Sequence, residues 1–209
     1  QSLLNYVIAG GGPTGVELAG ALGELKKHIL PKDYPELDID KMIIYLIQSD
    51  KRLLPTFSET SSQVALKDLE KLGVKVLLNT RVLDYQRDYV QTNSSQEIIA
   101  RTLIWTAGVV GSPIDGLPAT ALTKNNRIMV DEYSRVQGFT NIFAVGDVAC
   151  MISSHNPVGH PMVAQVAMQQ GQRLAQNLIQ LLNNKEMIPF IYKDKGSMAT
   201  IGKNKAVGN

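Results

Sequence analysis

"YVIAGGGPTGVELAGAL", Tyr6–Leu22, decides the fold of this 209-residue chain. Its opening residues continue an apolar run, "LLNYVIAG" (Leu3–Gly10), whose β-formers predict a short buried strand. Gly10-Gly11-Gly12-Pro13-Thr14-Gly15 then meets the G-x-G-x-x-G spacing, and Val16, Leu18, Ala19, Leu22, Leu25 and Ile29 follow at the spacing of a helical face. The spacing alone is a weak signal. A strand before it and a helix after it are the context that makes it a dinucleotide-binding turn. Gly10 serves the tight turn, Gly12 the close approach of a diphosphate, and Gly15 the packing of helix on strand. Pro13 and Thr14 open the helix, whose unpaired N–H groups and positive dipole end suit phosphate oxygens.

Working outward, "MIIYLIQ" (Met42–Gln48) and "VKVLLN" (Val74–Asn79) predict two further strands. Ser58 is expected to cap a helix running to about Leu72, with Gly73 as its stop. Short alternating segments from Thr80 to Ala100, turning at Asn93-Ser94-Ser95, predict an antiparallel meander. "TLIWTAG" (Thr102–Gly108) returns to the main sheet as a buried strand, with Trp105 read as core, the alternative being a place near the site. The order of elements gives an α/β, doubly wound Rossmann-type domain. Gly111, Pro113, Gly116 and Pro118 mark the domain crossing. Beyond it, "NIFAVGD" (Asn141–Asp147) predicts a strand. Pro161 to about Leu182 predicts a helix, with Val163, Val166, Ala167, Leu174, Leu178 and Leu181 inward. "PFIYKD" and "SMATIG" predict strands.

The composition excludes several classes. A formal charge of +2, with no basic block interleaved with aromatics, gives no nucleic-acid signature. A lone Cys150 excludes an internal disulfide framework and is read as inert packing, and His28, His155 and His160 lack the helical spacing of metal ligands, so no metal is expected. No run approaches the length of a membrane-spanning helix. The chain starts at Gln1 and stops at Asn209 in what reads as mid-domain sequence, so a piece of a longer protein is expected.

The second strand ends on Gln48, where a carboxylate would be expected to hold the adenosine ribose. An amide does not repel a 2′-phosphate, and Lys51 and Arg52 lie close in sequence. Weakened discrimination between NADH and NADPH is the expectation. The alternative is that Gln48 simply replaces the lost hydrogen bond.

Six stretches together resemble the type II NADH dehydrogenases: "GGGPTGVELAGAL", "RLLPTF", "TLIWTAGV", "NIFAVGDVA", "AQVAMQQG" and "DKGSMATIGKNKAV". The first four are widespread among flavoprotein reductases; the last two are specific to this branch. The resemblance implies that residues 1–108 are the NAD(P)H-binding domain, 109–184 the C-terminal half of an FAD-binding domain, and 185–209 the start of a C-terminal region. It implies transfer of hydride from NADH to FAD and of electrons on to quinone, by a peripheral enzyme of the respiratory chain on the cytoplasmic face of the membrane. The membrane anchor is expected beyond Asn209.

By the same resemblance, Asp147 after Gly146 binds a flavin ribityl hydroxyl, and Ala164 and Gln165 open the quinone-site helix. Gln165 and Gln169, one turn apart, would hydrogen-bond quinone carbonyls. Glu17 is implied near the nicotinamide–flavin stack, with a role in delivering protons; the alternative is a carboxylate that only positions the nucleotide. Ala107 and Gly108 belong to the nucleotide site. Two other readings stand beside this one: a different flavoprotein reductase, such as one acting on a disulfide, or a nucleotide-binding module without turnover. For the fragment itself, weak or absent FAD binding is expected, and an exposed half-core that favours a homodimer.

Overall fold

A computed structural model describes residues 4–94, 97–153 and 156–208. Leu3 of the first strand, Ser95 of the expected turn, and His155 lie outside the described residues. In chain order the elements are β1 (Asn5–Ala9), α1 (Pro13–Glu24), α2 (Leu30–Asp33), β2 (Ile43–Ile47), α3 (Glu59–Lys71) and β3 (Val74–Leu77). There follow β4 (Val82–Gln86), β5 (Tyr89–Thr92), β6 (Glu97–Ile99), β7 (Thr102–Trp105), β8 (Ile128–Val130), β9 (Ala149–Met151), α4 (Ala164–Leu182), β10 (Met198–Ile201) and β11 (Lys205–Gly208).

The chain divides into two compact units. One comprises Gln1–Gly108 with Gly196–Asn209, the other Val109–Lys195. The division at Gly108 falls at the edge of the glycine- and proline-rich crossing. The last residues, however, do not form a region of their own: Gly196–Asn209 packs with the first unit.

In the first unit β3, β2, β1 and β7 form a sheet in that order, parallel throughout. Strand alternation sends successive side chains to opposite faces. Ile8, Ile44 and Leu46 join Val16 and Ala19 of α1 and Ala65 and Leu69 of α3 in one cluster. Val7, Ala9 and Ile47 join Val82, Val90, Ile98 and Ala100 of the meander β4-β5-β6 in another. Helices therefore cover one face and the meander the other, which explains the nearly unbroken apolar runs of β1 and β2. Ser58 caps α3 as expected, its side chain accepting from Ser61 N, and Gly73 ends it at φ +80°.

Two expectations fail here. Trp105 is 60% exposed, not core, because β7 forms one edge of the sheet. Ile29 is also exposed: after α1 the helix loosens into a π-helical turn at Leu25–Ile29, which rotates the apolar stripe off the core.

The hairpin β10–β11 contributes Ala199, Ile201 and Val207 to the helix-side core. Gly20 of α1 makes this seat possible, since a Cβ there would lie 2.6 Å from Gly202 N and 3.2 Å from Ile201 backbone atoms. Lys205 Nζ also reaches the buried Asp68 of α3 at 2.6 Å, and Lys71 Nζ meets the same oxygen at 3.1 Å.

In the second unit β8 and β9 pair in parallel, and Ala121, Val136, Ala144 and Phe190 complete a small core around them. Asn141–Asp147 is not a strand. Phe143 makes a single bridge with Arg135, and Gly146, at φ +75°, begins a 3-10 turn through Val148, so pairing stops. "PFIYKD" is not a strand either, although Phe190 is buried. The helix begins at Ala164, and its buried positions are Val166, Gln170 and Asn177, while Leu178 and Leu181 are each 41% exposed. The inward stripe is thus partly polar, because amides on it hold the chain that follows. Asn177 exchanges two hydrogen bonds with the backbone of Ile188, and Gln169 exchanges two with Lys193.

Gly20→Ala should displace the hairpin and cost about 1–3 kcal/mol, the usual range for overpacking. Gly171→Ala, where an added Cβ meets nothing within 4 Å, should be neutral or stabilising. Denaturant midpoints of the two variants check this. A second prediction concerns acid. The hydrogen bond from Lys205, ahead of that from Lys71, holds the Asp68 carboxyl below its ordinary value. Its contribution to stability is then present above the unfolded value of about 3.9 and lost as pH falls through the folded one. Asp68→Asn should flatten the acid limb of the stability curve, which thermal melts between about pH 6 and 2 would show.

Candidate functional site

The glycine bend is fixed from three sides. Gly10 N donates to Ile47 O at 2.8 Å and Leu54 N to Gly11 O at 2.8 Å. Thr106 Oγ1, just past β7, lies 3.0 Å from Ala9 O and 3.1 Å from Gly10 O. Gln48, at the end of β2 and 7% exposed, accepts the Gly11 N–H on Oε1 at 2.8 Å. Gly10 sits at φ +118°, open to glycine alone at no cost, and a Cβ on Gly15 would stand 1.8 Å from Gly10 O. Only glycine lets α1 start this close to the strand.

Above Gly12 the geometry reverses. A Cβ there would meet nothing within 4 Å, so the bend faces open space. Pro13 begins α1, and the Gly12 carbonyl takes the Val16 N–H. No side chain caps this end. The first-turn N–H groups, those of Thr14 and Gly15, have no acceptor within the helix. Such an end attracts anionic oxygens. Beside it Ala9, Gly10, Gln48, Ser49, Thr80, Arg81, Val82, Trp105 and Ala107 line a cleft of about 180 Å³. Gly108, at φ +73°, follows it.

The remaining candidates in this unit are engaged by other residues of the chain. Gln48 gives its Nε2 hydrogen to Asp50 Oδ2 at 2.8 Å, so its amide is engaged at both ends. Arg52 turns its guanidinium to Pro55 O at 2.6 Å. Glu17 accepts from Thr200 N at 3.1 Å and Thr200 Oγ1 at 3.4 Å, tying α1 to β10.

In the second unit Gly146 N donates to Gln170 Oε1 at 2.7 Å, and the Asp147 carboxylate is exposed on the turn that follows. Arg127, 8% exposed, steadies that turn through hydrogen bonds to Asp147 O and Ala149 O, and also binds His160 O. Burial, with the Arg127 charge beside it, lowers the His160 pKa, so the imidazole stays neutral under Phe190 and Tyr192. Ala164 opens α4 and is exposed. Gln165 Oε1 accepts from Lys195 N at 3.2 Å, and Gln169 holds the backbone N–H and carbonyl of Lys193. The two glutamines share a face, as their spacing implies, but that face binds a returning backbone. Cys150 is buried, and no metal-binding cluster occurs among the described residues.

Sequence reasoning missed Thr106, Asp50, Arg127 and Gln170. Thr106 had a signal, its place between the β7 run and Ala107-Gly108. Gln170 had one too, four residues after Val166 on the inward face.

With this geometry in view, the family model described as "Pyridine nucleotide-disulphide oxidoreductase" matches residues 2–171. A type II NADH:quinone oxidoreductase of Haemophilus influenzae is 32% identical, covering 100% of this chain and 47% of that protein. Another, of Mycobacterium tuberculosis, is 34% identical, covering 98% and 45%. The chain spans about half the length of these curated relatives. The solved structure of NDH2 from Plasmodium falciparum in complex with NADH superposes with a TM-score of 0.87 at 22% identity, covering 99% of this chain and 57% of that one. That likeness carries the fold. The match over most of the chain, joined to the strand–glycine bend–helix unit, shows that the chain belongs to the pyridine nucleotide-disulphide oxidoreductase family.

Proposed function

We propose that the protein carrying this chain is a flavin-dependent NADH:quinone oxidoreductase of the type II class, and that residues 1–108 hold the nicotinamide nucleotide. The observation that carries this reading is the open space over Gly12 at an uncapped helix start. Gly10, Gly12, Pro13, Thr14 and Gly15 would seat the diphosphate there. The cleft beside Gln48 and Ala107 would take part of a nucleoside.

FAD fits the second unit in chemistry. Asp147 offers an exposed carboxylate acceptor on a turn preset by Gln170 and Arg127, and Ala164 brings the start of a helix. Bound there, FAD would supply the chemistry that accepts a hydride from NADH and passes electrons to quinone. Gly146 and Asp147 would orient its polyol. Gln165 and Gln169 hold the backbone N–H groups of Lys195 and Lys193 on their amide oxygens, and quinone carbonyls would accept from the amide N–H groups. Glu17 ties α1 to Thr200 through Oε1, a contact that suits a positioning role.

Quinone and a membrane surface at its cytoplasmic side are the proposed partners. Among the described residues no helix is long and apolar enough to cross a membrane. By itself the 209-residue chain should bind FAD weakly. Exposed Val109, Val110 and Ile114, 58–80% accessible, give the second unit an apolar surface that would favour pairing of chains.

Gly12→Val tests the reading, because the extended backbone there (φ −75°, ψ −176°) accepts valine while its methyls fill the space over the bend. In the longer protein, assayed in lipid for quinone-dependent NADH oxidation, KM for NADH should rise at least about tenfold, worth about 1.4 kcal/mol, with the melting temperature unchanged. An unchanged KM would exclude the bend as the nucleotide site.

A further inference from the structure

We propose that Asp50, held in place by Gln48, is the carboxylate that selects the nucleotide lacking a 2′-phosphate. This rests on the reading of the glycine bend as a nicotinamide-nucleotide site and revises the part given to Gln48. In dinucleotide folds of this kind, an acidic group near the end of the second strand accepts from the adenosine ribose hydroxyls and repels a phosphate there. Gln48 stands at that end, but its side chain is not available for the task. Its oxygen accepts the Gly11 N–H at 2.8 Å, inside the bend, and its nitrogen donates to Asp50 Oδ2 at 2.8 Å.

What remains of the amide could still hydrogen-bond a ribose hydroxyl, but it carries no negative charge to repel a 2′-phosphate. Asp50 supplies that charge. It lies two residues beyond Gln48, is exposed, and its backbone carbonyl is pinned by Asn79 N at 3.0 Å. With Oδ2 fixed by Gln48, the Oδ1 side of the carboxylate is presented in a set direction. The amide thus does indirectly what a strand-end acid does directly: it locks the bend with one end and aims a carboxylate with the other.

The cations nearby decide whether that charge prevails. Arg52 is turned to Pro55 O. Lys51, next in the chain, is exposed. Arg81 lines the same cleft as Gln48 and Ser49 and is a rival placed to welcome a phosphate. The hydrogen-bonded Asp50 carboxylate, coupled to the bend itself, is the feature on which we assign the preference.

Calorimetric titration of the 209-residue chain with NADH, NADPH and 2′-deoxyadenosine NADH tests this. The wild type should bind NADH at least about tenfold more tightly than NADPH, a preference of about 1.4 kcal/mol. Asp50→Asn, an exposed and nearly isosteric change, should erase most of that ratio. It should also erase the penalty for the 2′-deoxy nucleotide, a coupling that a purely structural residue would not show. Asp50→Glu should restore part of the preference. A ratio untouched by Asp50→Asn, or an NADPH preference that disappears in Arg81→Ala, would overturn the assignment while leaving the bend as a nucleotide site. Binding of none of the three nucleotides would overturn both.

Discussion

The Gly11 N–H to Gln48 Oε1 hydrogen bond joins the first βα turn to the end of the second strand, and much of the first unit depends on it. It fixes the bend from inside the sheet while Thr106 fixes it from β7. Three parallel neighbours, β2, β1 and β7, thereby agree on where α1 begins. Glycine is obligatory because the helix starts within van der Waals reach of the strand end, as the Gly15 geometry shows. From this start α1 runs back over the sheet, takes the β10–β11 hairpin on Gly20, and builds the core that α3 completes.

The same economy of polar groups governs the second unit. Asn177, Gln169 and Gln165 fasten Ile188, Lys193 and Lys195 in turn, so the chain returns along α4 on side-chain amides without forming a strand. Gln170 and Arg127 reach inward and fix the Gly146-Asp147 turn. A buried amide or guanidinium is costly unless its hydrogen bonds are met, and here each meets backbone groups that would otherwise lack partners.

Where local pattern and tertiary need coincide, the sequence was readable. The strand–bend–helix unit, the Ser58 cap, the Gly73 stop and the meander all follow from residues whose local preference agrees with their final place. It misled where a neighbour in space overrides the pattern. Trp105 reads as core but lies on an edge strand. "NIFAVGD" reads as a strand, yet it makes only an isolated bridge, Phe143 with Arg135, before Gly146 turns the chain. The site was legible in its backbone chemistry and less so in its side chains. Spacing put Gln165 with Gln169 and Glu17 near the bend, but nothing local foretold that residues 193–200 would return to engage all three.

The central claim is that the bend at Gly10–Gly15 belongs to the hydride donor. Crystals of the chain soaked with NADH and, separately, with FAD examine it directly. The NADH diphosphate should lie over Gly12, within hydrogen-bonding distance of the Thr14 and Gly15 N–H groups, with no flavin nucleotide at that position. An FAD diphosphate on this bend, or NADH bound elsewhere with the bend bare, would contradict it.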